Sequence, residues 1–253
     1  MRKDGTAPTK IDRAEISARA VSEPVEYYAA VPGIPGAELA LLAARAAIIA
    51  HHRFHLHPGY SRWYNGSMAK VVLRAEPDDM ARLAQTREGI ATPSSPDVPR
   101  LVVFRPRPKN RASFLAHLKL YTGRLARTPL QEWPVDASCV AIFANDDLEL
   151  SAGKFAAQAG HAILTLQKVC SALPDWSRWL ATGASLALFR APQPLLTRLL
   201  AEHKAYGVQD EGRTEIPAGS LAAAVAPVSD LAHWSREPDL ALLAYDRGRP
   251  MNM

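Results

Sequence analysis

Lys154, Gln158 and His161 stand at i, i+4 and i+7 within DLELSAGKFAAQAGHAILTLQ, the stretch from Asp147 to Gln167. On a helix these three share one side, while Phe155, Ala159, Ala162, Ile163 and Leu166 share another. An amine and an imidazole on one face can hold charge and exchange protons, and the amide between them can donate and accept hydrogen bonds. Ala156, Ala157, Ala159, Gly160 and Ala162 add little side-chain volume, so the helix backbone can lie close to whatever it covers, and a sheet is the expected partner. Three polar residues alone equally describe an ordinary amphipathic helix whose polar face meets water.

A second block separates these readings. Asp147-Leu148 followed by GKFAAQAGHA resembles the signature of the archaeal and eukaryotic type of peptidyl-tRNA hydrolase. After an apolar run from Ala184 to Ala191 and a helical run to Ala205, YGVQDEGRTEIPAGS from Tyr206 to Ser220 resembles that family's Asp-x-Gly-Arg-Thr block and its Gly-Ser. The resemblance implies hydrolysis of the ester bond of peptidyl-tRNA with no metal or nucleotide cofactor. It implies catalytic roles for Lys154, Gln158, His161, Asp210 and Thr214, with Arg213, Gly219 and Ser220 on the substrate. Those residue types suit the reaction: a carboxylate such as Asp210 can orient or deprotonate a water, and Lys154 or Thr214 can hold the charge that develops on the carbonyl oxygen. The sequence departs from the family at Asn145, where an Arg is usual, at Glu215 in place of Gln, and at Ala222 in place of Thr. Losing an Arg and gaining a carboxylate weakens phosphate contacts. The alternative is a non-catalytic RNA-binding or protein-interaction module of the same fold.

The 253 residues, 48% of them hydrophobic, suffice for one large or two small domains with buried cores. No run approaches the roughly 18 apolar residues that a membrane helix needs, and the polar N-terminus has no secretory core, so a cytoplasmic protein without a membrane partner is expected. Cys139 and Cys170 lack metal-ligand spacing and read as buried thiols. The net charge of +5 is uneven: residues 1–136 hold 20 Lys and Arg against 13 Asp and Glu, and residues 137–253 hold 10 against 12. A basic half beside a weakly acidic one suits a polyanionic substrate, or is a solvated surface.

The basic half shadows the other at an offset of 116 residues: YSRW (Tyr60–Trp63) falls on WSRW (Trp176–Trp179), Arg74-Ala75 on Arg190-Ala191, Arg82-Leu83 on Arg198-Leu199, and helix 40–49 on 156–165. The expected fold is α/β, two tandem copies of a three-layer α/β/α-type domain, each around a four-stranded mixed sheet, and it resembles a bacterial two-copy form of the family. Residues 1–26 read as a mobile arm, 27–136 as a degenerate non-catalytic copy and 137–253 as the catalytic copy. Glu38, Leu42 and Arg45 stand where Lys154, Gln158 and His161 stand, and the loop from Gly89 to Pro99 lacks the Asp-x-Gly-Arg-Thr block. Contact between the copies is expected, and a homodimer is left open.

In the first copy His51 and His55 have the spacing of a helical metal pair, but no third ligand accompanies them and no metal site is expected. Trp63 and Trp179 read as core anchors, with a base-stacking platform as the alternative. RPRPKNR brings Arg105, Arg107, Lys109 and Arg111 together, and Pro106 and Pro108 hold it extended, so these side chains are expected to be exposed to substrate phosphates, or to form a solvated linker. A helical stretch from Ala112 to Leu125 leads to the second copy.

Overall fold

The computed structural model describes residues 23–92, 99–108, 113–125, 128–134, 138–212 and 215–248. In chain order these form β1 (Pro24–Ala30), α1 (Gly36–Phe54), α2 (Pro58–Tyr64), β2 (Lys70–Arg74), α3 (Pro77–Ala84), β3 (Gly89–Ala91), β4 (Leu101–Pro108), a 3-10 turn (Ser113–Leu115) and β5 (Lys119–Leu120). The second half follows with β6 (Ser138–Asn145), α4 (Ala152–Cys170), α5 (Pro174–Ala181), β7 (Leu186–Ala191), α6 (Gln193–Ala201), β8 (Tyr206–Gln209), β9 (Leu221–Asp230), α7 (Leu231–Trp234) and β10 (Ala241–Asp246). Proline in the first turn of α2, α3, α5 and α6 supplies a φ already suited to a helix where no N–H is needed.

Two mixed sheets result, ordered β3-β4-β1-β2-β5 and β8-β9-β6-β7-β10. In each, one parallel pair lies at the centre, β1 with β2 and β6 with β7, joined over a helical crossover. Each sheet has five strands rather than the expected four. The short edge strands β3, β5 and β8, two to four residues long, are held by pairing with β4, β2 and β9 rather than marked by an apolar alternation of their own.

α1 and α4 form one helical layer between the sheets. Ala40, Leu41, Ala44 and Ile48 share a core with Phe155, Ala159, Ile163 and Leu166 and with Ile142, Leu188 and Val225 of the second sheet. Leu39, Ala43 and Ala46 pack with Tyr28, Val72 and Val103 of the first sheet, joined by Ala152, Ala156 and Ala157. The small residues therefore let α4 lie between two sheets rather than on one. Outer faces are covered by α3 on the first sheet and by α6 and α7 on the second. Trp63 and Trp179 are core anchors, their indole N–H groups donating to Ala69 O (3.0 Å) and Ser185 O (2.8 Å).

Some boundaries differ from expectation. β1 begins at Pro24, so residues 24–26 belong to a strand; residues 1–22 of the expected arm and the boundary residue 136 lie outside the described residues. The stretch expected to be helical up to Leu125 is a 3-10 turn followed by β5. Leu115 packs toward α3 while Leu120 is exposed, so no single apolar face runs through it.

Two polar groups are buried where the halves meet. Glu26 and Lys70, both with fully buried side chains, form an ion pair at 3.7 Å. The Tyr28 hydroxyl donates to Glu26, Lys70 lies over Trp63, and the Lys70 stem meets Gly160 of α4, where a Cβ would come within 3.1 Å. Arg45 of α1, 4% exposed, reaches into the second half. Its Nε donates to Asp246 Oδ2 (2.8 Å), and its Nη atoms donate to Gly183 O (2.9 Å) and Ala184 O (3.1 Å). Replacing it strands a carboxylate and two carbonyls. Arg45→Met is expected to lower stability by about 2 kcal/mol, a figure that allows for the partial exposure of Asp246. Urea midpoints check this, with the exposed Arg53→Met shifting by no more than about 0.5 kcal/mol.

Candidate active site

α4 opens at Ser151, whose extended backbone (φ −65°, ψ 155°) stops the preceding loop and whose hydroxyl accepts the Lys154 amide at 3.2 Å. This first turn is gripped from two sides. Glu215 of the downstream loop accepts from Ser151 N (2.8 Å) and from Ser151 Oγ (2.6 Å). From the first half, Gly123 O accepts the Ala152 amide at 2.7 Å, and Arg124 forms an antiparallel bridge with Ser151. The carbonyl of Tyr121 comes so close that a Cβ on residue 153 would lie 2.2 Å from it, which is why glycine stands there.

One turn into the helix, Lys154 and Gln158 meet a carboxylate from the downstream block, Tyr206 to Ser220. Asp210 follows β8, and its backbone is tied across the loop by Asp210 N to Ser220 O (2.9 Å) and Gly219 N to Asp210 O (2.7 Å). Its Oδ1 accepts from Gly212 N at 2.8 Å, and its Oδ2 receives both Lys154 Nζ and Gln158 Nε2 at 2.5 Å. Gly212 has φ +72°, in the left-handed region, with Ala218 N 2.6 Å from where a Cβ would be, so the turn that aims an N–H at Asp210 requires glycine. Asp210 is 4% exposed. Such a carboxylate, held by charge-assisted bonds and largely covered by protein, has a fixed position from which to act on a water. Gln158 Oε1 is buried and has no hydrogen-bond partner among the described residues, leaving an acceptor beside the carboxylate.

Residues 138–232 match the family model of peptidyl-tRNA hydrolase PTH2.

The matched stretch runs from β6 into α7, contains Lys154, Gln158, His161, Asp210, Gly219 and Ser220, and supports a peptidyl-tRNA hydrolase of the PTH2 type. Within it, His161 lies one turn beyond Gln158 on the same face, partly exposed. Arg213 and Thr214 lie outside the described residues, as do Lys109 and Arg111. The departures from the PTH2 pattern have internal uses. Asn145 Nδ2 donates to Gln193 Oε1 (2.5 Å) and Leu221 O (2.8 Å), and its Oδ1 accepts from Asp147 N (3.0 Å), which knits β6 to β9 and α6. Ala222 is fully buried in β9. Glu215 spends both oxygens on Ser151, a role that sequence reading missed because its partner is 64 residues away.

The structure does not bring Arg105 and Arg107 to this constellation. They lie on β4, which β1 separates from β2, the strand that packs on α4. Both pair with Glu88, and Arg107 is not exposed as expected: its side chain is 12% accessible and lies over Phe114. In the first half, Glu38 pairs with Arg100, and a cleft of about 440 Å³ where the halves meet is lined by Glu38, Leu42, Arg45, Arg100, Tyr245 and Arg247. The His51 and His55 rings stack at 5.8 Å, and burial lowers the His51 pKa to about 4. Among the described residues no group of three His, Cys, Asp or Glu is placed to hold a metal ion, and no helix is long and apolar enough to cross a membrane.

Proposed function

We propose that this chain hydrolyses the ester between a peptide and the terminal ribose of tRNA, with residues 137–253 as the catalytic copy and residues 27–136 as a second copy of the same fold without a working site. The observation that carries this reading is the Asp210 carboxylate, held on one oxygen by Lys154 Nζ and Gln158 Nε2 at 2.5 Å each. Asp210 orients a water and takes its proton, and the water oxygen bonds to the peptide's carbonyl carbon. Lys154 and the Thr214 hydroxyl stabilise the oxyanion. The carbon–oxygen bond to ribose then breaks, and the departing ribose oxygen recovers the proton from Asp210. Gln158 keeps the carboxylate aimed, and His161 lines the same face. Arg213, Gly219 and Ser220 hold the acylated end of the substrate.

The two-copy reading rests on α1 and α4 having equivalent bounds at the 116-residue offset, on the matching strand orders, and on the equivalent bonds of Trp63 and Trp179. Asn145 and Glu215 favour the enzyme over a bare binding module, because their bonds brace the loops around Lys154 and Asp210 instead of disrupting them. A cytoplasmic location is part of the same proposal.

In H₂¹⁸O, the released peptide carboxylate is expected to gain the label while the tRNA terminus does not; label in the ribose would exclude attack at the carbonyl carbon. The basic cluster remains a proposed contact for tRNA backbone. Since Glu88 already accompanies Arg105 and Arg107, neutralising Arg105, Arg107, Lys109 and Arg111 is expected to raise KM without changing kcat. The slope of log KM against log salt should flatten by about 0.7–0.9 for each of one or two contacts, not four. An unchanged slope would make the cluster a solvated linker.

A further inference from the structure

The two blocks that build the site are acidic. Between Asp146 and Lys154 and between Asp210 and Ser220 stand Asp146, Asp147, Glu149, Asp210, Glu211 and Glu215, against only Lys154 and Arg213. A polyanionic strand approaching such a site is repelled unless a cation is supplied from elsewhere. The first half places one there. Its segment leaving β5 is docked on the start of α4 through Gly123 O to Ala152 N (2.7 Å), the Tyr121 carbonyl against Gly153, and the Arg124–Ser151 bridge. Paired residues in an antiparallel bridge point their side chains to the same face. The exposed Arg124 side chain therefore leaves on the side of the Ser151 hydroxyl, which is bonded to Glu215 of the catalytic loop and to the Lys154 amide.

We propose that Arg124 is a substrate-binding residue of the second half's site, contacting a backbone phosphate next to the acylated end of tRNA; this rests on the hydrolase reading above. The first half thereby completes the site with a cation that the PTH2-matched stretch does not contain. Glu215 serves the same end: with both oxygens engaged by Ser151, its charge is partly compensated, so it opposes an approaching phosphate less.

The test compares Arg124→Ala and Arg124→Glu on N-acetyl-aminoacyl-tRNA and on an N-acetyl-aminoacyl ester of adenosine, which has no phosphate. Expected on tRNA is a KM raised roughly 5- to 10-fold by Ala and further by Glu, with kcat at saturation unchanged. The salt slope should flatten by about 0.7–0.9, and hydrolysis of the adenosine ester should keep the wild-type rate. An unchanged KM for tRNA in both variants would overturn the proposal. So would an equal loss of kcat on both substrates, which would make Arg124 a support for the helix start. If wild type binds tRNA without hydrolysing it, the hydrolase reading fails, and the Kd for tRNA decides this proposal instead: the same weakening sustains the phosphate contact, and an unchanged Kd removes it.

Discussion

Lys154→Ala and Asp210→Ala, each made alone, are expected to lower kcat on N-acetyl-aminoacyl-tRNA by roughly 10²- to 10⁴-fold with the fold retained, because each removes one electrostatic or acid–base contribution made at the reacting carbonyl. Asp210→Asn should be as severe. It keeps the shape that Lys154 and Gln158 meet but cannot take a proton from water. The double variant should lose little beyond either single one, since the 2.5 Å contact makes the two residues one unit. Glu38→Ala, 116 positions earlier in the first half, should change kcat less than about twofold, because Glu38 is paired with Arg100. Equal losses from Glu38→Ala and Lys154→Ala would mean that both halves build one site.

The largest effect on stability is expected at the Glu26–Lys70 pair. Removing one partner, as in Lys70→Met or Glu26→Leu, leaves the other charge in a fully buried position beside Trp63 and Gly160 and should cost about 3–5 kcal/mol, a large share of the roughly 5–15 kcal/mol that holds a domain together. The double variant, apolar at both positions and of similar volume, should return to within about 1 kcal/mol of wild type or exceed it. Denaturant unfolding of the four proteins measures this, and additive losses in the double variant would show that the pair is not the source. A pH signature accompanies it. Burial lowers the Lys70 pKa from its ordinary 10.5 to about 8, so between those values the unfolded chain binds the proton that the folded chain has released. Stability from this group is therefore present above about 10.5 and is lost as pH falls to about 8. The double variant should lack that rise between pH 8 and 10.5. Burial also raises the Glu26 pKa, which acts on the acid side, favouring the fold below its ordinary 4.5 and fading as pH rises through the folded value.

The candidate face was legible because it is local: Lys154, Gln158 and His161 follow the helical period, and the apolar residues of α4 fix which side they take. Asp210 was reachable only through its block, and the structure brings it to Lys154 from 56 positions away. The long strands β6, β7 and β9 announced themselves as apolar runs, whereas β8 and β5 are strands because a neighbour offers hydrogen bonds, a tertiary cause that no window of residues contains. The same holds for the packing of α4. Its alanines predicted a close neighbour, but not that the neighbours are two sheets and α1. Arg107 was misread because its charge was weighed without Glu88 and Phe114, which cover it from other elements. Glu215 looked like a loss of phosphate affinity until its partner at Ser151 was visible.

The most direct measurement is the release of free tRNA from N-acetyl-aminoacyl-tRNA by the purified full chain in the presence of a chelator. Many turnovers per enzyme are predicted, with Asp210→Asn slower by at least roughly 10²-fold and still able to bind tRNA. Tight tRNA binding by wild type with no release of peptide would contradict hydrolysis and leave a binding module of this fold.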